Sequence, residues 1–184
     1  MKVTPLQIPD VLLVVPDVFE DDRGYFFETW QQERYGRDVT RQEFVQDSLS
    51  VSRRGVVRGL HFQHPHAQGK LVTALAGAAF DVAVDVRRGS PTFGRWVAAE
   101  LSAANRRQMW VPPGFAHGFQ ALEDGTVFSY KCSDVYHPEC ERTVRYSDPA
   151  IGVSWPLPDP VASARDRSAP LLADLPTEAL PAFR

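Results

Sequence analysis

The chain has 184 residues, 43% of them hydrophobic, which is long enough to bury a continuous core and short enough for one large domain. A formal net charge of -3 gives no global attraction to nucleic acid or to an anionic membrane, so an anionic ligand must be held by local cations. Two cysteines, Cys132 and Cys140, are too few for a disulfide scaffold, although they could form a single bridge. The greasiest runs, Val11 to Val15 and Leu71 to Phe80, fall well short of the roughly twenty residues that cross a bilayer, and the N-terminus carries no charged leader followed by an apolar stretch. These features predict a cytoplasmic protein with free thiols and no transmembrane segment.

Fifteen prolines and twelve glycines punctuate many short apolar runs, the pattern of an all-β protein. Val11 to Val15 reads as a strand stopped by Pro16. Asp22-Arg23-Gly24 is a turn between two aromatic-bearing strands, where Arg23 and Glu28 have the alternative reading of solvated charges. Thr29 is placed to cap a short helix that runs through Tyr35 and ends at Gly36. Phe44 to Ser52 is strand-like but carries Gln46, Asp47, Ser48 and Ser50, more polar groups than a core strand tolerates, which favours a strand lining a wet cavity. Phe80, Val82, Val84 and Val86 alternate with Asp81, Ala83 and Asp85, the clearest period-two segment in the chain. Ser90-Pro91-Thr92-Phe93-Gly94 is a turn, and Asp124-Gly125 is a hairpin signal leading into Thr126 to Val135. Strands with turn signals every eight to twelve residues suggest a sandwich, jelly roll or barrel. Past Asp148 the chain is proline-rich, with a weak helical pattern only from Pro170 to Leu180.

Within Arg58-Gly59-Leu60-His61-Phe62-Gln63, Leu60 and Phe62 alternate with the other residues. One face of this strand is expected in a core, the other presenting Gly59, His61 and Gln63 to a cavity. A neutral imidazole is the side chain best matched to taking a proton near pH 7, so His61 is the candidate base; the alternative is a satisfied core histidine. Lys2, Lys70 and Lys131 are the only lysines among twenty basic residues. Lys70, opening an apolar strand, therefore reads either as a point charge for an anionic oxygen or as a surface lysine at a strand start. His61, His64, His66 and His117 raise the question of a metal. Pro112-Pro113-Gly114-Phe115-Ala116-His117 resembles the second cupin motif, and His64-Pro65-His66 has the histidine spacing of the first, but Lys70 follows where a carboxylate is needed. A lysine repels a cation, so no metal and no cofactor is expected, and a cupin-like jelly roll is.

A wider resemblance rests on Arg23-Gly24-Tyr25-Phe26, Arg58-Gly59-Leu60-His61, Lys70-Leu71-Val72, Asp81-Val82-Ala83-Val84-Asp85, Ser90-Pro91-Thr92-Phe93-Gly94, Pro113-Gly114-Phe115-Ala116-His117-Gly118-Phe119, Tyr130, Asp148-Pro149, Trp155-Pro156 and Ser163-Ala164-Arg165-Asp166. In this order, spanning nearly the whole chain, they resemble the dTDP-4-dehydrorhamnose 3,5-epimerase (RmlC) family of the cupin superfamily. The resemblance implies an all-β, cupin-like double-stranded β-helix with a few short helices. It implies one domain over residues 1–184, with proline-rich residues 156–184 packed on the jelly roll, and a homodimer. It implies His61 as base, Asp166 as the carboxylate that orients it, Tyr130 as acid and Lys70 as the cation beside the keto oxygen. Arg23, Phe26, Glu28, Gln46, Asp47, Ser48, Arg58, His117 and Glu141 fall at substrate-binding positions, Tyr136 at that of a ring stacking on thymine, and Arg165 where a lysine is common. Arg58 and His61 are three apart and would face opposite sides of a regular strand; a bulge or bend near Gly59 reconciles them.

The implied substrate is a dTDP-4-keto-6-deoxy sugar, whose C4 carbonyl acidifies the hydrogens on C3 and C5; the implied activity inverts both carbons. A C3-only or C5-only epimerase would use the same residues. A non-enzymatic sugar-binding cupin need not keep His61, Asp166 and Tyr130 together, and a metal-dependent cupin dioxygenase is disfavoured by the missing glutamate.

Overall fold

The computed structural model describes residues 1–183, and the strands of its sheets all pair antiparallel. In chain order these are β1 (Lys2–Pro5), β2 (Leu12–Val15), β3 (Val18–Asp21), β4 (Gly24–Phe27), helix α1 (Gln32–Asp38), β5 (Gln46–Ser52), β6 (Val57–Gln63), β7 (Lys70–Ala76), β8 (Ala78–Asp85), β9 (Trp96–Ser102), β10 (Gln108–Val111), β11 (Phe115–Ala121), β12 (Thr126–Cys132), β13 (Glu141–Thr143) and helix α2 (Ala164–Ser168). One sheet has the order β1-β2-β10-β7-β12-β5, the facing sheet β13-β6-β11-β8-β9, and β3 and β4 form a separate hairpin. Consecutive strands from β5 to β8 and from β9 to β12 alternate between sheets, as in the expected jelly roll. Among the described residues no helix is long and apolar enough to cross a membrane.

This alternation corrects one local expectation. Asp124-Gly125 is not a hairpin turn, because β11 pairs with β6 and β8 while β12 pairs with β5 and β7. The turn instead carries the chain from one sheet to the other, and Asp124 Oδ1 accepts a hydrogen bond from the Arg54 backbone N–H at 2.9 Å. The Asp22-Arg23 turn is a true hairpin, with Asp21 paired to Gly24. The first helix starts later than expected: Gln31, not Thr29, caps it by accepting from Arg34 N–H, and Gly36 lies inside it.

The core between the sheets joins Val72, Met109 and Phe128 of one to Ala83, Leu101 and Phe119 of the other. The alternating face of β8 is turned the opposite way from a simple amphipathic strand. Asp81 and Ala83 point between the sheets, and Val82 and Val84 point outward beneath Ile151, Leu172 and Leu180 of the proline-rich segment. That segment contributes a second apolar layer, which is why both faces of β8 are buried. α1 covers the other sheet through Tyr35, packed with Val14, Leu71 and Trp110, and the Tyr35 hydroxyl donates to Gln108 Oε1 at 2.7 Å.

Asp85, at the end of β8, is fully buried and organises the turn after it. It accepts from Arg87 N–H, Nε and Nη2 at 2.9, 2.9 and 2.8 Å, and from the Ser90 and Thr92 hydroxyls at 2.5 and 2.6 Å. Burial pushes its carboxyl up, but these donors outweigh burial and hold it below the usual carboxylate range. Asp85→Ala is expected to cost about 3–5 kcal/mol in urea unfolding, because it removes the shared acceptor of two hydroxyls and of Arg87, whose guanidinium keeps only the half-exposed Asp10. A group with a depressed folded pKa contributes fully above the ordinary carboxylate range and loses its contribution as pH falls through the folded value. The wild-type advantage over Asp85→Asn should therefore persist at neutral pH and vanish only in strong acid.

Candidate active site

A cavity of about 520 Å³ opens at one end of the two sheets. The six-stranded sheet supplies Gln46, Ser48 and Ser50 of β5, Lys70 of β7 and Tyr130 and Cys132 of β12; the facing sheet supplies Arg58 and His61 of β6 and His117 and Phe119 of β11. Ser163, Arg165 and Asp166 close it at α2, and Gln68 and Tyr136 sit at its lip.

Arg58 and His61 share the cavity because the β6–β11 register shifts between His117 and Phe119. Gly59 lies there at φ +136°, and a Cβ on it would sit 2.6 Å from Gly118 Cα, so two glycine backbones touch where a side chain cannot fit. Leu60 and Phe62 point into the outer apolar layer as expected. Gln63 does not line the cavity; it is buried and bonded to neighbouring loops.

His61 Nε2 lies 2.8 Å from Asp166 Oδ1. The imidazole is 29% exposed and the carboxylate side chain 6%, so one face of the ring meets the cavity while the carboxylate is shielded. Burial pushes Asp166 up. Hydrogen bonding to His61, the His61 charge, and further hydrogen bonds from Ser163 and the Gly59 backbone prevail and hold it below the usual carboxylate range. Ser163 also caps α2, its hydroxyl accepting from Asp166 N–H at 3.0 Å.

Across the cavity the Tyr130 hydroxyl is 3.2 Å from Ser50 Oγ. Burial raises the phenol, so it is present as the protonated donor at neutral pH. Lys70 pairs with Cys132 at the start of β7, and burial lowers its ammonium, partly opposed by Cys132, Glu141 and Asp81. A second His–Asp pair stands beside the first, one that the sequence does not announce. His117 Nε2 lies 2.7 Å from Asp81 Oδ1, both groups are buried, and Asp81 Oδ2 has no hydrogen-bond partner among the described residues. Burial raises Asp81 while His117 and Lys70 pull it down.

At the lip, the Tyr136 hydroxyl donates to Glu141 Oε2 at 2.7 Å and Arg165 Nη1 reaches the same oxygen at 2.6 Å. Glu141 thus stands behind the cavity wall and positions two residues that line it. Arg165 is 56% exposed while its guanidinium is paired with Glu141. The Gln46 carboxamide accepts from Tyr136 N–H at 2.8 Å and donates to Ser48 at 3.0 Å.

Besides Glu141, four expected positions are absent from the lining of this cavity in the single chain. Asp47 is on the opposite face of β5 from Gln46 and Ser48, by strict alternation, and binds Lys131 Nζ at 2.8 Å. Arg23 pairs with Asp21 in the β3–β4 hairpin, Phe26 there is 67% exposed, and Glu28 pairs with Arg34. Ser50, Gln68, Phe119, Cys132 and Ser163 line the cavity without being among the expected binding residues; alternation along β5 and β12 points to Ser50 and Cys132. Cys132 and Cys140 are free thiols.

The sequence profile described as dTDP-4-dehydrorhamnose 3,5-epimerase matches residues 5–174. The Pseudomonas aeruginosa dTDP-4-dehydrorhamnose 3,5-epimerase is 54% identical over 179 residues, covering 95% of this chain and 97% of that one. The fold is similar to the Legionella pneumophila dTDP-6-deoxy-D-glucose-3,5-epimerase RmlC, solved in complex with dTDP-4-keto-L-rhamnose, with a TM-score of 0.96 and 46% identity over 100% of this chain and 98% of that one. It is also similar to ChmJ, a 3'-monoepimerase from Streptomyces bikiniensis solved with dTDP-quinovose, with a TM-score of 0.89 and 35% identity over 97% of this chain and 92% of that one. The chain belongs to the dTDP-4-dehydrorhamnose 3,5-epimerase family.

Proposed function

We propose that this chain is a cofactor-independent epimerase that inverts C3 and C5 of dTDP-4-dehydro-6-deoxy-D-glucose to give dTDP-4-dehydro-L-rhamnose. The observation that carries the reading is the placement of two proton-transfer groups on facing sheets of one cavity: the His61–Asp166 pair on one wall and the Tyr130 phenol on the other. His61 takes the proton from the carbon next to the ketone, and the carbon–hydrogen electron pair moves into the enolate. Asp166 stabilises the imidazolium that forms. Lys70 offsets the negative charge developing on the C4 oxygen. Tyr130 then gives its hydroxyl proton to the opposite face of the carbon, and solvent restores both groups. Arg58 and Arg165 supply positive charge for the pyrophosphate, and Tyr136 an aromatic face for the base.

Inversion of both carbons is favoured over one because the similar relatives at 43–54% identity are named 3,5-epimerases, whereas the 3'-monoepimerase is 35% identical. With dTDP-4-dehydro-6-deoxy-D-glucose and a 4-ketoreductase to trap the product, NMR should find an L-rhamno sugar. A product inverted at one carbon alone would move the chain to the mono-epimerases.

The chain works as one cupin-like domain, in the cytoplasm, and as a homodimer. Phe19, Tyr25 and Phe26 on the β3–β4 hairpin are 66%, 53% and 67% exposed, an apolar cost that a second copy would remove. Pairing through that hairpin would also give Arg23, Phe26 and Glu28 a cavity to act in, since their own chain's cavity does not contain them. Light scattering at micromolar concentration should give twice the chain mass; a monomer mass would refute the dimer.

A further inference from the structure

We propose that His66, Asp134 and His137 form a binding site for a divalent transition-metal ion of the zinc class, outside the cavity, joining the loop after β6 to the loop after β12. Their donor atoms all lie within 4.8 Å of one another. His66 Nδ1 is 3.4 Å from Asp134 Oδ2, and His137 Nε2 is 3.8 Å from Asp134 Oδ1. These separations are long for hydrogen bonds, so the three side chains do not bond one another, while Asp134 Oδ1 accepts from Val135 N–H at 2.8 Å. The two separations run to different oxygens of the carboxylate and the imidazoles are stacked at 26°, so both rings must turn before their lone pairs meet on one ion at the roughly 3.3 Å edges of a tetrahedral site with bonds of about 2.0–2.1 Å.

The site is preorganised from beneath. Gln63, 4% exposed, donates to the carbonyls of His66 at 2.7 Å and Val135 at 3.2 Å, and its side-chain oxygen accepts from His137 N–H at 2.8 Å. One buried carboxamide thus fixes the backbones of both histidines, which are 71 positions apart in the chain, while Gln68 donates to the Asp134 carbonyl at 2.8 Å. His66 sits at φ +62°, an uncommon conformation for a residue with a side chain, and this places its ring against His137 with centroids 4.1 Å apart. Glu139 Oε1 lies 3.4 Å from His137 Nδ1, within reach of becoming a second-layer carboxylate once the ring turns to present Nε2 to a metal. Two imidazoles and one carboxylate suit zinc, nickel or copper and leave coordination positions for water; they offer too few oxygens for calcium or magnesium. None of the three residues lines the cavity, so the ion would staple two loops and take no part in proton transfer.

The test is calorimetric titration of zinc sulfate into the untagged, chelator-stripped full-length chain. The expected result is one ion per chain, with affinity reduced at least tenfold in His66→Ala and in His137→Ala, and about 10-fold in Glu139→Gln. Far-UV circular dichroism checks that each variant keeps the β fold, and zinc should raise the melting temperature of the wild type but not of the double variant. Absence of saturable binding at one ion per chain would overturn the proposal, as would wild-type affinity in the folded His66→Ala/His137→Ala double variant, which would place any zinc elsewhere.

Discussion

His61→Ala is expected to lower kcat by about 10²–10⁴-fold and to abolish solvent-hydrogen exchange at both C3 and C5, because no other imidazole on its wall is as open to a substrate. His117, the other histidine lining the cavity, is bonded through Nε2 to a carboxylate just as His61 is, but its side chain is 4% exposed against 29% for His61. Asp166→Asn should reproduce most of the loss in kcat while KM changes little. An amide in that place still orients the ring, yet it cannot stabilise the imidazolium formed when His61 takes the proton. The comparison separates charge from packing: Asp166 is nearly buried at the start of α2, and a purely structural role would appear as lost stability with kcat preserved. Steady-state kinetics alongside urea unfolding of the same variant reads both. Wild-type turnover in Asp166→Asn would mean that the 2.8 Å contact is not part of the reaction.

Much of the site is legible in the amino-acid sequence, for reasons that differ from residue to residue. His61 stands out locally, as an imidazole on the polar face of a strand whose other face is Leu60 and Phe62. Its partner Asp166 is 105 positions away on a five-residue helix too short to register as a periodic pattern. Only the family resemblance joins the two, although Ser163, three residues before Asp166, is a helix-capping signal that marks the start of α2. Asp47 is excluded by alternation alone, since Gln46 and Ser48 cannot share a face with the residue between them. The Asp124-Gly125 signal fails for a tertiary reason: turn chemistry specifies a reversal of the chain, but not whether the next strand joins the same sheet or the facing one. Nor does the polar face of β8 reveal by itself that it points inward, because the outer layer that buries Val82 and Val84 comes largely from residues 144–180, far along the chain. Arg23, Phe26 and Glu28 lie outside the cavity of His61 and Tyr130, so the geometry of one chain does not explain why a ligand-binding pattern falls on and beside an exposed hairpin.

Tyr130→Phe keeps the ring that packs against Phe128 and His117 and removes only the hydroxyl beside Ser50. His61 would still take a proton and return one from solvent to the same face, which exchanges hydrogen without inverting the carbon. Inversion needs the donor on the other wall. The phenylalanine variant should therefore retain measurable exchange while losing most of its epimerised product, whereas His61→Ala should lose both.

The most direct measurement incubates wild type, His61→Ala and Tyr130→Phe with dTDP-4-dehydro-6-deoxy-D-glucose in deuterium oxide. Mass spectrometry of recovered substrate reads exchange, and NMR of the ketoreductase-trapped product reads configuration. The two-wall mechanism predicts exchange and inversion in the wild type, exchange with little inversion in Tyr130→Phe, and neither in His61→Ala. Normal inversion by Tyr130→Phe would contradict it and assign the second proton to a water or another residue.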